Sequence, residues 1–316
     1  MPNEVLIKVE ACGICGTDVH IYEGTANSKP PVILGHEYTG IIEYVGGNVT
    51  LFKSGDRVVV DPNISCGYCD YCRRGRSHLC ENLTALGVHI DGGFAEYSIV
   101  PESQLYRLPD NISFEWGCLT EPISCAIHGV ELASIKAGDT VVILGAGAIG
   151  LIIMQLVRLS GASKLIVVEP IKGRREIARM LKADILIDPT EENVREITMK
   201  NSYDGADVVM ECAGSPQTAR LALDLVRRGG RIIFFGVCDR NAKIHIKPQE
   251  IYFKELTIRG SYINPSTFSR AIDLLSLNKI DLSKFKIKRF LLDELLNALE
   301  YRKKQKALKN IVIPHI

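Results

Sequence analysis

The chain has 316 residues, and its 38 basic and 37 acidic side chains leave a formal charge of +1. Forty-six per cent of it is apolar, so a large core can be buried and general disorder is excluded. The even charge balance gives no global attraction to nucleic acid or to an anionic membrane, and a small uncharged partner fits better.

Ten cysteines stand out. A chain of this size folds without disulfides, and Met1-Pro2-Asn3-Glu4 has no basic-then-apolar export leader. The expectation is a reducing, cytoplasmic setting in which thiols are metal ligands or small buried fillers. The longest apolar stretch, Val141 to Met154, contains three glycines and is too short for a bilayer, so no membrane span is expected.

From Val5 to Val130 the β-branched runs VLIKV, PVIL, YTGIIEYVG, DRVVV, GGFAEYSIV and LYRLP are broken by glycine and proline. Such spacing predicts an antiparallel barrel or sandwich. Past Ala137-Gly138-Asp139 apolar strands alternate with helices: TVVIL, LIVV, DILID and ADVVMEC each precede a helical segment, and RIIFFG precedes a loop. Repeats of this kind predict a parallel sheet covered on both faces. Beyond Tyr262-Ile263-Asn264-Pro265 come the helical SRAIDLLSL and LDELLNALEYRKKQ and the strand-like NIVIPHI. This tail has no core of its own and is expected to return to the first domain. The chain thus divides at residues 1–124, 125–264 and 265–316.

Cys66, Cys69, Cys72 and Cys80 form C-x2-C-x2-C-x7-C, which lets four thiolates converge on one tetrahedral ion. The segment is too polar for a core strand, and zinc is expected rather than an iron-sulfur cluster. Arg73, Arg74 and Arg76 can offset the net negative charge of four thiolates on Zn²⁺. A closed site of this type braces the fold and offers no place for substrate.

A second, open site is expected from Cys15 between two glycines, from His36 and Glu37 at the end of a short apolar strand, and from Glu121 in Thr120-Glu121-Pro122. One thiolate, one carboxylate and a neutral imidazole cancel Zn²⁺ and leave a position for substrate. Spacing leaves the choice between Glu37 and Glu121 open.

The strand Val141–Leu144 runs into Gly145-Ala146-Gly147-Ala148-Ile149-Gly150 and a long helix, with Glu169 ending the next strand. This is the context in which a helix N-terminus receives a dinucleotide pyrophosphate. Glu169 can accept hydrogen bonds from both ribose hydroxyls and would repel a 2′-phosphate, favouring NAD over NADP, while Arg174 and Arg175 stand close by in sequence.

Taken together, GICGTDVH, LGHE, the four-cysteine run, TEP, GAGAIG and VVEP resemble, in order and over nearly the whole chain, the zinc-dependent medium-chain alcohol dehydrogenases. The polyol (sorbitol-like) and threonine dehydrogenase branch is the nearest. The resemblance implies an α/β fold in which a doubly wound Rossmann NAD-binding sheet is inserted in a mainly-β GroES-like catalytic domain. It implies Cys15 and His36 as catalytic zinc ligands, with Glu37 and Glu121 alternating as ligand or water partner. Asp18 would orient the zinc histidine, Thr17 and His20 would relay a proton to solvent, and Cys66, Cys69, Cys72 and Cys80 would hold a structural zinc. Gly145, Gly147, Ile149, Gly150, Glu169 and Arg174 would contact the cofactor.

Two zinc ions per subunit, NAD, hydride transfer from a secondary alcohol and assembly as a homodimer or homotetramer follow from the same resemblance. No nucleic-acid or membrane partner is implied. Polyol members often carry an aromatic after the relay histidine and an Arg-Tyr pair after the last nucleotide-domain strand, where this chain has Ile21 and Ile263-Asn264. Threonine members tend to have a Trp-bearing insertion where GTANSKPP is short, and Trp116 lies elsewhere. The balance favours a polyol or vicinal diol of the sorbitol or L-iditol type over L-threonine. A non-catalytic zinc- and NAD-binding protein is the alternative of another class.

Family members normally carry one or two further strands before PNEVLIKV, so an exposed sheet edge is expected there. Cys12, Cys118, Cys125, Cys212 and Cys238 are left as small apolar fillers.

Overall fold

The computed structural model describes residues 2–304 and 307–315, so Gln305 and Ile316, which end the expected segments LDELLNALEYRKKQ and NIVIPHI, lie outside the described residues. Two compact units emerge, Met1–Ser124 with Asn264–Ile316, and Cys125–Ile263.

In the first unit β1 (Glu4–Ile14) leads into α1 (Gly16–Tyr22), β2 (Glu37–Val45) and β3 (Arg57–Val60). A ribbon of β4 (Asn63–Ile64) and β5 (Thr84–Ala85) frames the cysteine loop with its single turn α2 (Asp70–Arg73). Next come β6 (Tyr97–Pro101), β7 (Leu105–Arg107), α3 (Phe114–Gly117) and the start of α4 (Thr120–Ala133), which belongs to the second unit from Cys125 on. Val5, Ile7 and Val9 alternate inward along β1, each buried side chain contributing about 2 kcal/mol through the hydrophobic effect.

The expected PVIL strand does not form. Pro30 and Pro31 have no amide hydrogens, and the backbone of Ile33, Leu34 and Gly35 is taken up instead by the amides of Gly92, Gly93 and Phe94. His36 therefore sits just ahead of β2 rather than at the end of an earlier strand.

The second unit holds β8 (Thr140–Leu144), α5 (Ala148–Leu159), β9 (Lys164–Val168), α6 (Lys172–Met180) and β10 (Ile185–Ile187). It continues with α7 (Val194–Lys200), β11 (Ala206–Glu211), α8 (Pro216–Leu225), β12 (Val226–Phe234), α9 (Pro248–Lys254) and β13 (Thr257–Gly260). Its parallel sheet runs β10-β9-β8-β11-β12-β13, so the winding reverses between β8 and β11, where ligands of such sheets bind at the strand C-termini. The stretch after RIIFFG, expected as a loop, contains α9 and β13. The strand escapes sequence patterning because Thr257-Ile258-Arg259-Gly260 is largely exposed and lacks an apolar period.

The chain then returns through α10 (Phe268–Ser276), β14 (Ile287–Leu291), α11 (Leu295–Lys303) and β15 (Lys309–Ile313). The first unit's sheet has the order β14-β15-β1-β2-β3-β7, with β6 also on β1. Ile7, Ile14, Tyr38, Ile42, Phe290 and Val312 form its core. Among the described residues β6 has β1 as its one strand partner, and Tyr97 and Ile99 on it are exposed. No helix among those residues is long and apolar enough to cross a membrane.

A polar knot fixes the return within the first unit. Asn264 Nδ2 and the Asn63 amide donate to Asp61 Oδ1 at 3.2 and 3.1 Å, and Asn63 Nδ2 donates to Asn264 Oδ1 at 2.5 Å. Burial raises Asp61 from 3.8 to about 6, against the pull of these hydrogen bonds. A raised carboxyl holds its proton more readily in the folded state, so its contribution to stability is present at low pH and is lost as pH rises from about 4 to about 6. The rise corresponds to roughly 3 kcal/mol at most. Asp61→Asn is expected to flatten that decline and to raise the urea midpoint at neutral pH; an unchanged slope between the two pH values contradicts this account.

Candidate metal centre and dinucleotide crevice

Cys15 stands between β1 and α1 and caps the helix. Its amide donates to Asp18 Oδ2 at 2.7 Å, which pins the first turn of α1 and draws Asp18 fully inside. Asp18 Oδ1 in turn lies 3.4 Å from Nδ1 of buried His36, so Nε2 is the ring nitrogen offered to a cation. Glu37 opens β2. One donor atom each from Cys15, His36 and Glu37 lie within 4.8 Å of one another. Glu121 is buried on α4 but is not a member of that group.

The pocket is rich in negative charge around His36. Burial pushes the His36 imidazole toward its neutral form, yet Asp18 and Cys15 overcome it and raise the group well above its ordinary value. Sulfur, imidazole and carboxylate are the donor types of catalytic zinc, and three protein donors leave one position open. Thr17 Oγ1 lies 3.7 Å from Cys15 Sγ, whereas His20 is exposed with Nδ1 3.3 Å from Thr25 Oγ1.

One participant escaped the sequence. Lys309, at the start of β15, is buried and ion-paired with Glu37, and its Nζ also donates to the Ile14 carbonyl at 3.3 Å. The available signal is a lysine opening the apolar run Ile311-Val312-Ile313, a charged group at the edge of a buried strand.

The sulfurs of Cys66, Cys69, Cys72 and Cys80 also lie within 4.8 Å of one another. Cys69 and Cys80 are 3.9 Å apart, which suits tetrahedral zinc with bonds near 2.3 Å, whose sulfurs lie about 3.8 Å apart. Amides point inward: those of Cys66 and Asn82 donate to Cys80 Sγ at 3.3 Å, and that of Cys69 to Cys66 Sγ at 3.4 Å. Burial works against the Cys66 thiolate, but the amides of Tyr68 and Cys69 prevail and bring it down to about 6. Of the arginines expected to balance the site, Arg74 is engaged with Asp70 at 2.9 Å.

In the second unit Gly145 has a φ of +100° and turns the chain out of β8, and Gly147 caps α5. A β-carbon at Gly150 would collide with the Gly145 carbonyl oxygen, whereas one at Gly147 would meet nothing within 4 Å. The turn is thus tight on its helix side and open where a pyrophosphate would approach α5. Ile149 is half-buried in the first turn.

Glu169 is buried after β9, with Oε2 accepting from the Ala146 amide at 2.7 Å and Oε1 from the Ile171 amide at 3.0 Å. It braces the glycine turn, and each oxygen retains capacity for a ribose hydroxyl. Arg174 Nη1 is 3.8 Å from Glu169 Oε2, while Arg175 is committed to Asp188 at 2.6 Å.

Two family models match the chain. Residues 1–110 match the alcohol dehydrogenase GroES-like domain and residues 148–277 the zinc-binding dehydrogenase domain. The chain belongs to the zinc-binding dehydrogenase family. An L-threonine 3-dehydrogenase of Caldanaerobacter subterraneus subsp. tengcongensis is 40% identical over 82% of this chain and 76% of its own length. The sorbitol dehydrogenase of Bacillus subtilis is 34% identical over 99% and 91%. A zinc-binding dehydrogenase structure from Sinorhizobium meliloti 1021, bound to NADP, superposes with a TM-score of 0.94 at 42% identity, covering 99% of this chain and 92% of that one. Members of this family are oxidoreductases, and the fold of this one is a GroES-like domain with a Rossmann sheet.

The four-cysteine site of this zinc-binding dehydrogenase supports the cysteine loop, because α2 offers only a single turn and no buried side chain. Cys66→Ser is expected to remove one zinc per chain and lower the melting temperature by about 5 °C or more. Zinc content and calorimetry check this; an undiminished melting temperature would count against a bracing role.

Proposed function

We propose that this zinc-binding dehydrogenase oxidises a secondary alcohol group of a polyol or vicinal diol, of the sorbitol or L-iditol type, with NAD as hydride acceptor. The convergence of Cys15, His36 and Glu37 on one small volume carries the reading. Bound zinc would supply Lewis acidity that eases deprotonation of a hydroxyl, and the nicotinamide the hydride acceptor.

The chain's own residues do the rest. Cys15, His36 and Glu37 hold the ion, with buried Glu121 as the alternative carboxylate, and Asp18 fixes the orientation of His36. Thr17 takes the substrate proton beside Cys15, and His20 delivers it to solvent from the exposed face of α1. Gly145, Gly147, Ile149 and Gly150 receive the pyrophosphate at the N-terminus of α5. Glu169 takes the ribose hydroxyls, and Arg174, 3.8 Å from the same carboxylate, contacts the cofactor beside it.

The same reading assigns residues 1–124 and 265–316 to the catalytic domain and 125–264 to the NAD-binding domain, one residue past the compact units, in which Asn264 belongs with the first, in a homodimer or homotetramer measurable by light scattering. NAD over NADP follows from the repulsion between Glu169 and a 2′-phosphate. The relative solved with NADP makes the cofactor comparison informative. Glu169→Gln is expected to narrow the NAD preference in kcat/KM by about tenfold, the change that loss of one close like-charge repulsion produces.

L-threonine is the second reading, favoured by the higher identity of the threonine relative, 40% against 34%. The sorbitol relative spans more of the chain, 99% against 82%, and the short GTANSKPP segment agrees with the polyol reading. NADH formation with sorbitol, xylitol, 2,3-butanediol and threonine at alkaline pH separates the two. Cys15→Ala is expected to abolish turnover while NAD binding, followed by fluorescence, stays intact. Full activity of that variant would sink the zinc mechanism, and absence of turnover on every substrate would support a non-catalytic protein.

A further inference from the structure

Lys309 is a buried cation inside a site that is to hold a cation, and nothing in the chemistry of zinc binding requires it there. It is also built in with care. The register of β1 and β2 sets Gly13 directly opposite Glu37, and β15 lies along the same end of β1 through Cys12, Gly13 and Ile14. A β-carbon at Gly13 would collide with Glu37 Oε2 and stand 2.8 Å from Lys309 Cε. The absent side chain at Gly13 is the space in which the Glu37–Lys309 pair lies, and the Ile14 carbonyl gives the ammonium a second acceptor at 3.3 Å. Three strands distant in sequence thus cooperate to place one ammonium on one carboxylate.

The charge count shows what this arrangement does. A dication with the Cys15 thiolate, the Glu37 carboxylate and a neutral imidazole sums to zero, and Lys309 makes it +1. A carboxylate already bound to an ammonium is a poorer ligand, easily displaced by an incoming neutral hydroxyl. We propose that Lys309 is a positioning residue of the metal centre, holding Glu37 and cancelling its charge so that the carboxylate binds the cation weakly and reversibly. This rests on the reading of Cys15, His36 and Glu37 as a zinc site.

The test uses the full chain and Zn²⁺ competed against a chelator, with the zinc lost in Cys15→Ala marking the site concerned. Without the ammonium, the metal-free site carries an uncompensated buried carboxylate and the loaded site gains a stronger ligand. K309M is therefore expected to bind zinc at least about tenfold more tightly, as removal of one nearby positive charge requires. Co²⁺ in the same site should show a changed visible spectrum, and K309R should restore both properties. In an E37Q background the K309M effect should vanish.

Unchanged or weaker zinc binding in K309M, or an equal effect with and without Glu37, overturns the proposal. Should K309M fail to fold, E37Q and E37Q/K309M carry the comparison: equal zinc affinity agrees with action through Glu37, and a difference refutes it. If Cys15→Ala loses no zinc, the centre itself is misassigned, a result distinct from any outcome with Lys309.

Discussion

The antiparallel register between β1 and β2 is the constraint on which the metal centre depends. It sets Gly13 against Glu37, and therefore His36 beside Cys15, which leaves β1 just one residue past Ile14. A slip of one residue would turn Glu37 to the opposite face of the sheet and carry it away from the thiolate. The register is held by the inward set Val5, Ile7 and Val9 and by two irregularities in the pairing, between Leu6 and Ile7 and between Val9 and Ala11. Such bulges bend a strand and re-aim its end, so the catalytic geometry is a property of the whole strand pair and not of the motif at its tip.

The dinucleotide crevice answers to a different constraint, one of close approach. Gly150 is pressed against the Gly145 carbonyl, so the helix α5 starts as near to β8 as backbone atoms permit. That closeness aims the first free amides of α5 at the edge of the sheet between β8 and β11, where the winding reverses. Glu169 then ties the turn to the next strand through the Ala146 amide. The carboxylate proposed to take the ribose hydroxyls is thus also a structural brace, held by the Ala146 and Ile171 amides.

What could be read from the sequence was what lies close together in it. Four cysteines within fifteen residues, and three glycines between a strand and a helix, declare themselves because their partners are neighbours along the chain. The order of apolar strands likewise revealed the wound sheet. Lys309 could not be read this way, since its partner is 272 residues away and a single lysine before an apolar run is usually a solvated strand end. The knot of Asp61, Asn63 and Asn264 is equally silent, because asparagine and aspartate beside turns are ordinary. The strand β13 was hidden by its exposure, and PVIL was misleading because an apolar composition was present without the amides that a ladder needs.

The cysteines show how placement, and not residue type alone, separates a candidate ligand from a core filler. Cys12 lies three residues from Cys15, and Cys118 bonds to Thr39 on β2, so both stand near the metal centre. Yet burial raises Cys12 well above its ordinary value, and it pushes Cys118 up to about 12 with the help of the Glu37 charge. Neither belongs to the group of donor atoms that Cys15, His36 and Glu37 bring together. Cys15, half-buried at the head of α1 and beside a hydroxyl, is the sulfur that stands with His36 and Glu37. A crowded sulfur neighbourhood therefore brings one thiol to the group with His36 and Glu37, because the others are packed into the same core that supports the sheet.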